Sequence, residues 1–191
     1  ILAATFFLLA GAASAQKAHF GIKGGMNASS INTDPSRSDL ATKIGFNAGL
    51  LAHIHSAHSQ WAIQPEVYYS AEGAKVKTND NKLNLGYLNV PVLVQYMFDN
   101  GFRIEAGPQI GFLMNAKSKA GSTTLDVKDS YKSTNFSIPV GVGYLTSMGL
   151  GFDARYNFGV SDISKVNTEK VHSNVFQFGI FYQFSDPKIK K

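Results

Sequence analysis

The sequence predicts an all-β protein, an eight-stranded antiparallel up-and-down transmembrane β-barrel. Successive stretches alternate large apolar residues with small or polar ones, the period-two pattern of strands with two unlike faces. Only 16% of the residues are charged, against about 25% in a typical soluble domain. The connections alternate between long and short, so an antiparallel meander would collect all the long loops at one end.

The closing strand, 175–184, shows the alternation most plainly and contains no charged residue. Its alternate positions are large and apolar: Phe176, Phe178, Ile180, Tyr182 and Phe184. The positions between them hold mainly amides and glycine. A ten-residue strand tilted by about 45° rises about 23 Å, close to the roughly 25 Å apolar band of an outer-membrane barrel. We therefore predict that the aromatic face contacts lipid and that the amide face fills a narrow interior.

Seven further strands follow from the same alternation. Their expected bounds are 18–30, 43–55, 60–70, 84–98, 102–114, 132–146 and 150–160. The first two alternate apolar residues with glycine and polar residues, and the third and fourth alternate aromatic and branched residues with amides. The fifth follows Asp99-Asn100-Gly101, because Asn-Gly suits a type I′ hairpin turn. The sixth resembles the second, and the seventh alternates apolar residues with glycine, asparagine and charged residues.

Polar loops are expected between alternate pairs of these strands. The loops fall at about 32–42, 72–83, 115–131 and 161–173, and the tight turns at 56–59, 99–101 and 147–149. Outer-membrane barrels of bacteria have short periplasmic turns and longer external loops. We therefore expect four external loops and both chain termini in the periplasm of a protein of the bacterial outer membrane.

The first residues have the composition of a secretory signal. Residues 1–15 form an apolar run that ends in Ala13-Ser14-Ala15, a small-residue cleavage pattern. The alternative is a membrane anchor, but the run is too short to span a bilayer comfortably. We expect a signal peptide at 1–15 and one barrel domain at 16–191. The absence of cysteine suits an oxidising envelope without establishing a compartment.

Six charged residues fall inside the predicted strands, all on the glycine and amide face. They are Lys23, Glu66, Arg103, Glu105, Asp153 and Arg155. A charge on the lipid face at the bilayer midplane would cost about 2–4 kcal/mol, which explains the segregation. An eight-stranded barrel is only wide enough inside for side chains. We therefore predict an interior polar network of paired charges that plugs the barrel.

Four prolines lie near the middle of consecutive predicted strands: Pro65, Pro91, Pro108 and Pro139. Proline removes a hydrogen-bond donor from the ladder and normally lies at edges or bulges. A closed barrel has no edge, so we expect a local bulge at each proline.

Several motifs carry a resemblance to a known family. They are F-G-I-K-G-G-M-N near the start, Q-P-E-V-Y-Y-S-A-E-G-A-K (64–75), Y-L-N-V-P-V-L-V-Q-Y (87–96), E-A-G-P-Q-I-G (105–111) and the closing F-G-I-F-Y-Q-F. Over nearly all of the mature chain the sequence resembles the PorT-like outer-membrane β-barrel family. The resemblance implies an eight-stranded, OmpA/OmpX-like barrel but no single activity, since only one branch is named for protein secretion. One departure is the seven-residue extension after Phe184.

Two groups of residues could carry chemistry. His53, His55 and His58 lie near one strand end and could meet a metal, although polar interior or rim residues are the simpler interpretation. His172, with Ser173 and Asp162, could supply a base and a nucleophile near an external loop, although such residues are common in loops. We expect no metal, no cofactor and no catalytic site.

Lysines are concentrated in the predicted external loops. Five of them could contact lipopolysaccharide phosphates, with a solvated loop surface as the alternative: Lys75, Lys77, Lys82, Lys117 and Lys119. No nucleic-acid motif appears, and the expected partners are outer-membrane lipid and the barrel-insertion machinery. The sequence favours a non-enzymatic barrel with a structural or binding role through its loops. A lipid-modifying enzyme, a narrow channel and an accessory component of protein secretion are the alternatives.

Overall fold

The computed structural model describes residues 16–34, 40–56, 59–76, 81–165 and 170–184. Ten strands are present in these ranges: β1 (Gln16–Asp34), β2 (Leu40–Ser56), β3 (Trp61–Val76), β4 (Lys82–Met97), β5 (Phe102–Ala106), β6 (Gln109–Ala120), β7 (Thr123–Asp126), β8 (Thr134–Leu145), β9 (Leu150–Gly159) and β10 (Lys170–Gln183). One 3-10 turn spans Lys128–Ser130. The predicted signal peptide, His58, Lys77 and the extension after Phe184 lie outside the described residues.

The sheet closes on itself, because β1 pairs with β2 on one side and with β10 on the other. β5 and β6 occupy one place in the ring. Val94 of β4 pairs with Ala106 of β5 and Pro91 pairs with Gln109 of β6, in one unbroken register. β7 only extends β6 as a short hairpin. The ring therefore has eight positions, all antiparallel, which confirms the predicted fold.

The two ends of the barrel differ as the alternating connections predicted. The described chain starts with β1 and finishes with β10 at the end that carries the short turns, where the Phe184 amide donates to the Phe20 carbonyl. We call this the turn end, and the opposite end the loop end. No helix within the described residues is long and apolar enough to cross a bilayer.

The bulges expected at the four prolines are wrong. The register between β3 and β4 is the same on both sides of Pro65, and β4 keeps one register with β5 and β6 across Pro91 and Pro108. Pro139 lies within an unbroken run of pairs with β9. Pro108 lies between β5 and β6 and has no N–H to donate to a neighbouring strand, but the register with β4 and β8 continues across it without an extra residue. A lost donor removes one bond without displacing the neighbouring pairs.

Register shifts occur elsewhere, toward the loop end. One lies between Thr42 and Asn47 in the pairing of β2 with β3, and the other between Gly86 and Tyr87 in the pairing of β4 with β6. The first four strands also run further than the sequence predicted. The expected loop at 72–83 consists largely of β3 and β4. Beyond the apolar band, water can solvate both faces of a strand, so the ladder continues without the apolar alternation.

The outward face of the barrel is apolar and the inward face is polar. Phe178 is 59% exposed and Leu50 is 62% exposed, whereas Gln177 and Glu66 are buried. Near the turn end, four aromatic side chains on the outward face contact one another in series. The ring centroids are 5.0 Å apart for Trp61 and Tyr96, 5.0 Å for Tyr96 and Phe98, and 5.6 Å for Phe98 and Phe102. Aromatic girdles of this kind lie at the interfaces of outer-membrane barrels.

Glycine on the inward face makes room for a large neighbour. A Cβ built on Gly151 would overlap the ring of Phe181, which is buried and lies 4.6 Å beneath the Arg103 guanidinium. A Cβ on Gly24 would meet nothing closer than the Asn47 carbonyl oxygen at 3.7 Å. Gly24 lies on the outward face, opposite the exposed Ile180 and Ala48, so of these two glycines only Gly151 is required by packing.

We predict that Gly151→Ala lowers the free energy of unfolding by about 1–3 kcal/mol, the usual cost of overpacking a core. The matched change Gly24→Ala should alter it by no more than about 0.5 kcal/mol. Urea unfolding of the barrel in phospholipid vesicles measures both. Equal unfolding midpoints for the two variants would contradict the packing role of Gly151.

Candidate functional site

The centre of the interior is organised around the Glu66 carboxylate, which is fully buried. Arg155 donates to it through two nitrogens, with Nη1 to Oε2 at 2.7 Å and Nη2 to Oε1 at 2.8 Å. The Lys23 ammonium donates to Oε2 at 2.9 Å, and the Gln64 amide donates to Oε1 at 2.7 Å. A bidentate guanidinium–carboxylate pair is among the strongest polar contacts available to a buried charge.

Arg155 joins this carboxylate to two others. Its Nε donates to Glu105 Oε1, and the same nitrogen lies 3.6 Å from Asp153 Oδ1. The Gln95 amide donates to the second oxygen of Glu105 at 2.6 Å and accepts a 3.3 Å hydrogen bond from Arg103. Arg103 Nη2 and Asp153 Oδ2 have no hydrogen-bond partner within the described residues. Arg155 is therefore the hub on which three acidic side chains depend.

All six charged residues that the sequence placed inside the barrel lie on its inward face. Their exposed fractions are 7% or less: Lys23, Glu66, Arg103, Glu105, Asp153 and Arg155. Tyr68 lies across the interior beside this network, with Lys23 Nζ 4.8 Å from its ring centroid. The Tyr68 hydroxyl donates to the side-chain amide oxygen of Gln109, Oε1, at 2.7 Å. The middle of the barrel is thus occupied by hydrogen-bonded side chains.

Sequence reasoning missed a second acidic position nearer the loop end. Glu72 is 3% exposed, and its carboxylate accepts hydrogen bonds from the Ser70 hydroxyl at 2.8 Å, the Ser173 hydroxyl at 3.0 Å and the Asn89 amide at 3.3 Å. The Lys43 ammonium reaches the Glu72 backbone carbonyl at 2.8 Å. With this pair added, the inward charges of the described side chains comprise four cations and four anions.

A signal for Glu72 was present in the sequence. Gln64, Glu66, Tyr68 and Ser70 occupy every second position of β3, and Glu72 is the next one in that series. The predicted strand ended before it, because the residues that follow are polar and typical of a loop. Extending the inward series by one step would have placed Glu72 in the interior.

An apolar cluster adjoins Glu72 at the loop end, which the sequence analysis did not predict, and its Leu85 is directly opposite Glu72. Ile31, Leu85, Tyr87, Leu113 and Ile163 form a buried cluster with two alanines at the loop end. Ile163 belongs to the connection after β9, which turns inward so that this side chain is fully buried. The cluster therefore attaches a loop to the barrel wall by apolar contact.

The histidines at the turn end lie close together. His53 and His55 share the inward face with ring centroids 5.2 Å apart, and His19 of the neighbouring strand stacks on His55 at 5.6 Å. Sequence reasoning did not include His19, which pairs directly with His53 across β1 and β2. In the part of the chain that the structure describes, no group of three acidic, histidine or cysteine side chains is arranged to hold a metal.

The three residues weighed as a catalytic group are not brought together. His172 and Ser173 are successive strand residues and therefore point to opposite faces. The Ser173 hydroxyl donates inward to Glu72. One Asp162 oxygen accepts a hydrogen bond from the Lys132 ammonium at 2.7 Å.

Three of the lysines that the sequence analysis assigned to loops form a row across neighbouring strands. Lys75 of β3 is directly opposite Lys82 of β4, and Lys82 is directly opposite Lys119 of β6. The row is flanked by Ala41 of β2 and Thr124 of β7. We call Lys75, Lys82 and Lys119 the lysine ladder. No ion pair joins any of the three to another described residue.

The lysine ladder points outward at the loop end. Leu83 and Leu85 alternate with it on β4 and pack into the interior cluster, so Lys82 faces the other way. Lys117 lies on the same outward face, paired with Asn84 on one side and with Asp126 on the other. The expectation that these lysines lie in loops is wrong. Strands continue past the apolar band and hold them in fixed register.

Asp162 fastens the connection after β9 to its surroundings. Its carboxylate accepts hydrogen bonds from the Lys132 ammonium at 2.7 Å, the Val171 amide at 2.9 Å and the Ser164 amide at 3.0 Å. The Lys132 hydrogen bond, followed by that of the Val171 amide, lowers the pKa of Asp162 from its ordinary value of 3.8 to about 2.

Comparisons with known proteins agree with this architecture. A family model described as an outer membrane protein beta-barrel domain matches residues 14–165. The crystal structure of Neisserial surface protein A (NspA) is similar, with a TM-score of 0.62 and 17% identity over 88% of this chain and 99% of that chain. The crystal structure of Ail of Yersinia pestis, in complex with the heparin analogue sucrose octasulfate, is also similar. Its TM-score is 0.54, with 17% identity over 88% of this chain and 99% of that chain.

These matches support the broad family and the barrel fold. The narrower PorT-like resemblance stays a prediction, because the description of the matched family does not include it. No curated protein matches the chain.

We predict that Arg155→Ala lowers the free energy of unfolding by about 3–5 kcal/mol, because Glu105 and Asp153 lose the cation beside them and Glu66 keeps only Lys23. The control is Lys132→Ala, which breaks a pair whose side chains are 45% and 29% exposed and should cost at most about 1 kcal/mol. A temperature series on semi-native gels, together with urea unfolding, measures both. A loss of similar size in the two variants would show that the interior network does not stabilise the barrel.

We also predict that the contact at Asp162 survives mild acid. Its pKa is lowered in the folded protein, so the contribution to stability is complete above about pH 4 and is lost as the pH falls toward 2. The amide chemical shift of Val171, followed by NMR, should titrate with a midpoint near 2 and should lose this step in Asp162→Asn. A midpoint near 4 would mean that the Lys132 hydrogen bond is not formed in solution.

Proposed function

Since this chain belongs to the outer membrane protein beta-barrel domain family, we propose that it is a non-enzymatic protein of the bacterial outer membrane that binds the phosphate groups of outer-leaflet lipopolysaccharide. The lysine ladder carries this proposal. We place the loop end outside the cell and both termini in the periplasm, in keeping with the short periplasmic turns of outer-membrane barrels.

Among the described residues, the lysine ladder has no ion-pair partner for its three like charges. Like charges directly opposite each other on neighbouring strands are destabilising, typically by a few tenths of a kcal/mol to about 1 kcal/mol. Here three like charges are aligned, and Ala41 and Thr124 at the two ends offer no compensating charge. A phosphate outside the barrel wall would remove the repulsion, since each lysine near an anionic surface contributes about 1 kcal/mol.

The height of the lysine ladder suits a lipid headgroup. The last outward pair of large apolar side chains below it on β3 and β4 is Tyr69 with Leu88. Lys75 is six residues further along β3, which at about 3.3 Å per residue and about 45° tilt places it roughly 14 Å higher. A flexible lysine can reach back several ångströms toward the interface. The ammonium groups would then meet lipid phosphates from the water side.

The Ail comparison supports the idea that a barrel of this fold can hold a polyanion. Ail is described in complex with a sulfated heparin analogue. At 17% identity the likeness concerns the fold alone, so the argument for this chain rests on its own lysines.

The competing functions are a narrow channel, a lipid-modifying enzyme and an accessory role in secretion. The paired charges around Arg155 and the Tyr68 side chain support a closed interior rather than a channel. The separation of His172 from Ser173 favours a binding role over catalysis at that position. A secretion partner is compatible with a lipid-bound barrel and is not required by any contact described above.

We predict that the triple variant Lys75→Gln, Lys82→Gln, Lys119→Gln binds diphosphorylated lipid A about 100-fold more weakly than the parent. Three lost lysine contacts of about 1 kcal/mol each correspond to this ratio. Titration of the folded barrel in a neutral detergent measures the affinity. The control is Lys165→Gln, which removes one charge from the exposed connection after β9 and should leave binding within about twofold. Equal affinity for phosphorylated and dephosphorylated lipid A would overturn the proposal.

The lysine ladder should change the free energy of unfolding in opposite directions in neutral detergent alone and with lipid A added. In neutral detergent, Lys82→Gln removes repulsion from both neighbours and should raise the free energy of unfolding by up to about 1 kcal/mol. With lipid A present, the same change should lower the free energy of unfolding. A change of the same sign in both conditions would mean that lipid phosphate does not compensate the lysine ladder.

A further inference from the structure

A pocket of about 240 Å³ lies inside the loop end of the barrel. Five strands and one connection contribute its main lining residues: Ile31, Leu40, Ala74, Leu83, Val171 and Tyr131. We call it the loop-end pocket. Its wall is continuous with the buried apolar cluster, because Leu40, Leu83, Val171 and Tyr131 all pack against that cluster.

From this geometry we propose that the loop-end pocket binds a small neutral apolar molecule, of about the size of a single six-membered ring. An apolar cavity of 150 Å³ in another protein stays dry and binds benzene, so a pocket of this volume has room for a somewhat larger guest. Among the described residues that line the loop-end pocket none is charged, and their polar side chains are those of Thr33 and Tyr131. An apolar lining with few polar groups is the usual character of small-molecule sites.

The position of the pocket argues against a membrane acyl chain as the occupant. Ala74 and Leu83 are a cross-strand pair on the inward face, whereas the neighbouring pair, Lys75 and Lys82, faces outward. The barrel wall therefore separates the loop-end pocket from lipid. A guest would enter from the medium beyond the loop end.

The pocket also has chemistry distinct from the interior below it. Glu72 and its hydroxyl and amide partners form a polar layer there, and the apolar cluster with Leu85 and Leu113 belongs to the same wall as the pocket. The apolar lining of the loop-end pocket therefore has no role in neutralising the charge of Glu72. The Tyr131 hydroxyl at this pocket can donate a hydrogen bond to a weakly polar guest.

The test is a titration with fluorobenzene, followed by 19F NMR, of the folded barrel in phosphatidylcholine nanodiscs. The parent protein should show saturable binding above the partition of the probe into lipid. Ala74→Leu fills the loop-end pocket and should weaken binding at least tenfold. The matched control Ala48→Leu adds the same atoms on the exposed outward face and should leave binding unchanged.

Two results would overturn the proposal. One is an equal, non-saturating response of the parent and both variants, which would mean that the probe only partitions into lipid. The other is unchanged binding in Ala74→Leu. If Ala74→Leu does not fold on a semi-native gel, Val171→Phe replaces it as the filling variant. A further measurement needs no variant: the amide chemical shifts of Ala74, Leu83 and Val171 in the parent should change with added fluorobenzene and reach a plateau. Shift changes that do not reach a plateau would also overturn the proposal.

Discussion

Within lipid, every backbone N–H and C=O must find its partner inside the protein, and this requirement shapes the whole chain. The pairing of β1 with β10 supplies it, because a closed ring leaves no strand edge without hydrogen bonds. Closure at eight positions leaves an interior only wide enough for side chains. Charges placed in that narrow space must pair with each other, and lipid outside excludes them from the other face.

The interior is layered along the barrel axis as a consequence. Around Arg155, oppositely charged side chains satisfy one another within hydrogen-bond distance. Glu72 forms a second polar layer held mostly by hydroxyls and amides. An apolar cluster begins beside this layer, where Leu85 is directly opposite Glu72, and it holds the inward-turned Ile163 at the loop end. With this order, the loop end would take the uncharged guest proposed above, while the polar contacts in the middle would keep the interior closed.

The outward face follows a different order, from aromatic to basic. Apolar residues cover the strands through the band near Tyr69 and Leu88, and the lysine ladder begins only where the strands rise beyond it. The outward surface therefore combines two kinds of interaction with the membrane. Apolar burial holds the barrel in the bilayer, and electrostatic attraction to phosphates would hold lipid against its rim. Neither term depends on the interior network, so the lysine ladder can be changed without disturbing the core.

Sequence reasoning was accurate for features that local alternation sets, and it failed where the local pattern does not show the outcome. Alternation identified which face of each strand meets lipid, and it placed Glu66 and Arg155 inside, because the pleat assigns sides with a period of two wherever one face is apolar. It failed at Glu72, where polar residues on both faces of the following chain hid the continuing strand. It also failed at Pro65 and Pro108, because a missing donor shows in the sequence but the response of the register does not.

The amino-acid order by itself determined the closed antiparallel barrel, its eight strands and the polarity of its two faces, since these follow from local alternation and from the cost of unpaired backbone in lipid. Only the tertiary structure decided which charges meet, which lysines align and where a pocket opens. Those outcomes depend on the register between strands distant in sequence: Lys75 meets Lys82, and Lys82 meets Lys119, only through specific pairings of β3, β4 and β6. Register is set by the closure of the whole ring, so no single stretch of the chain contains it.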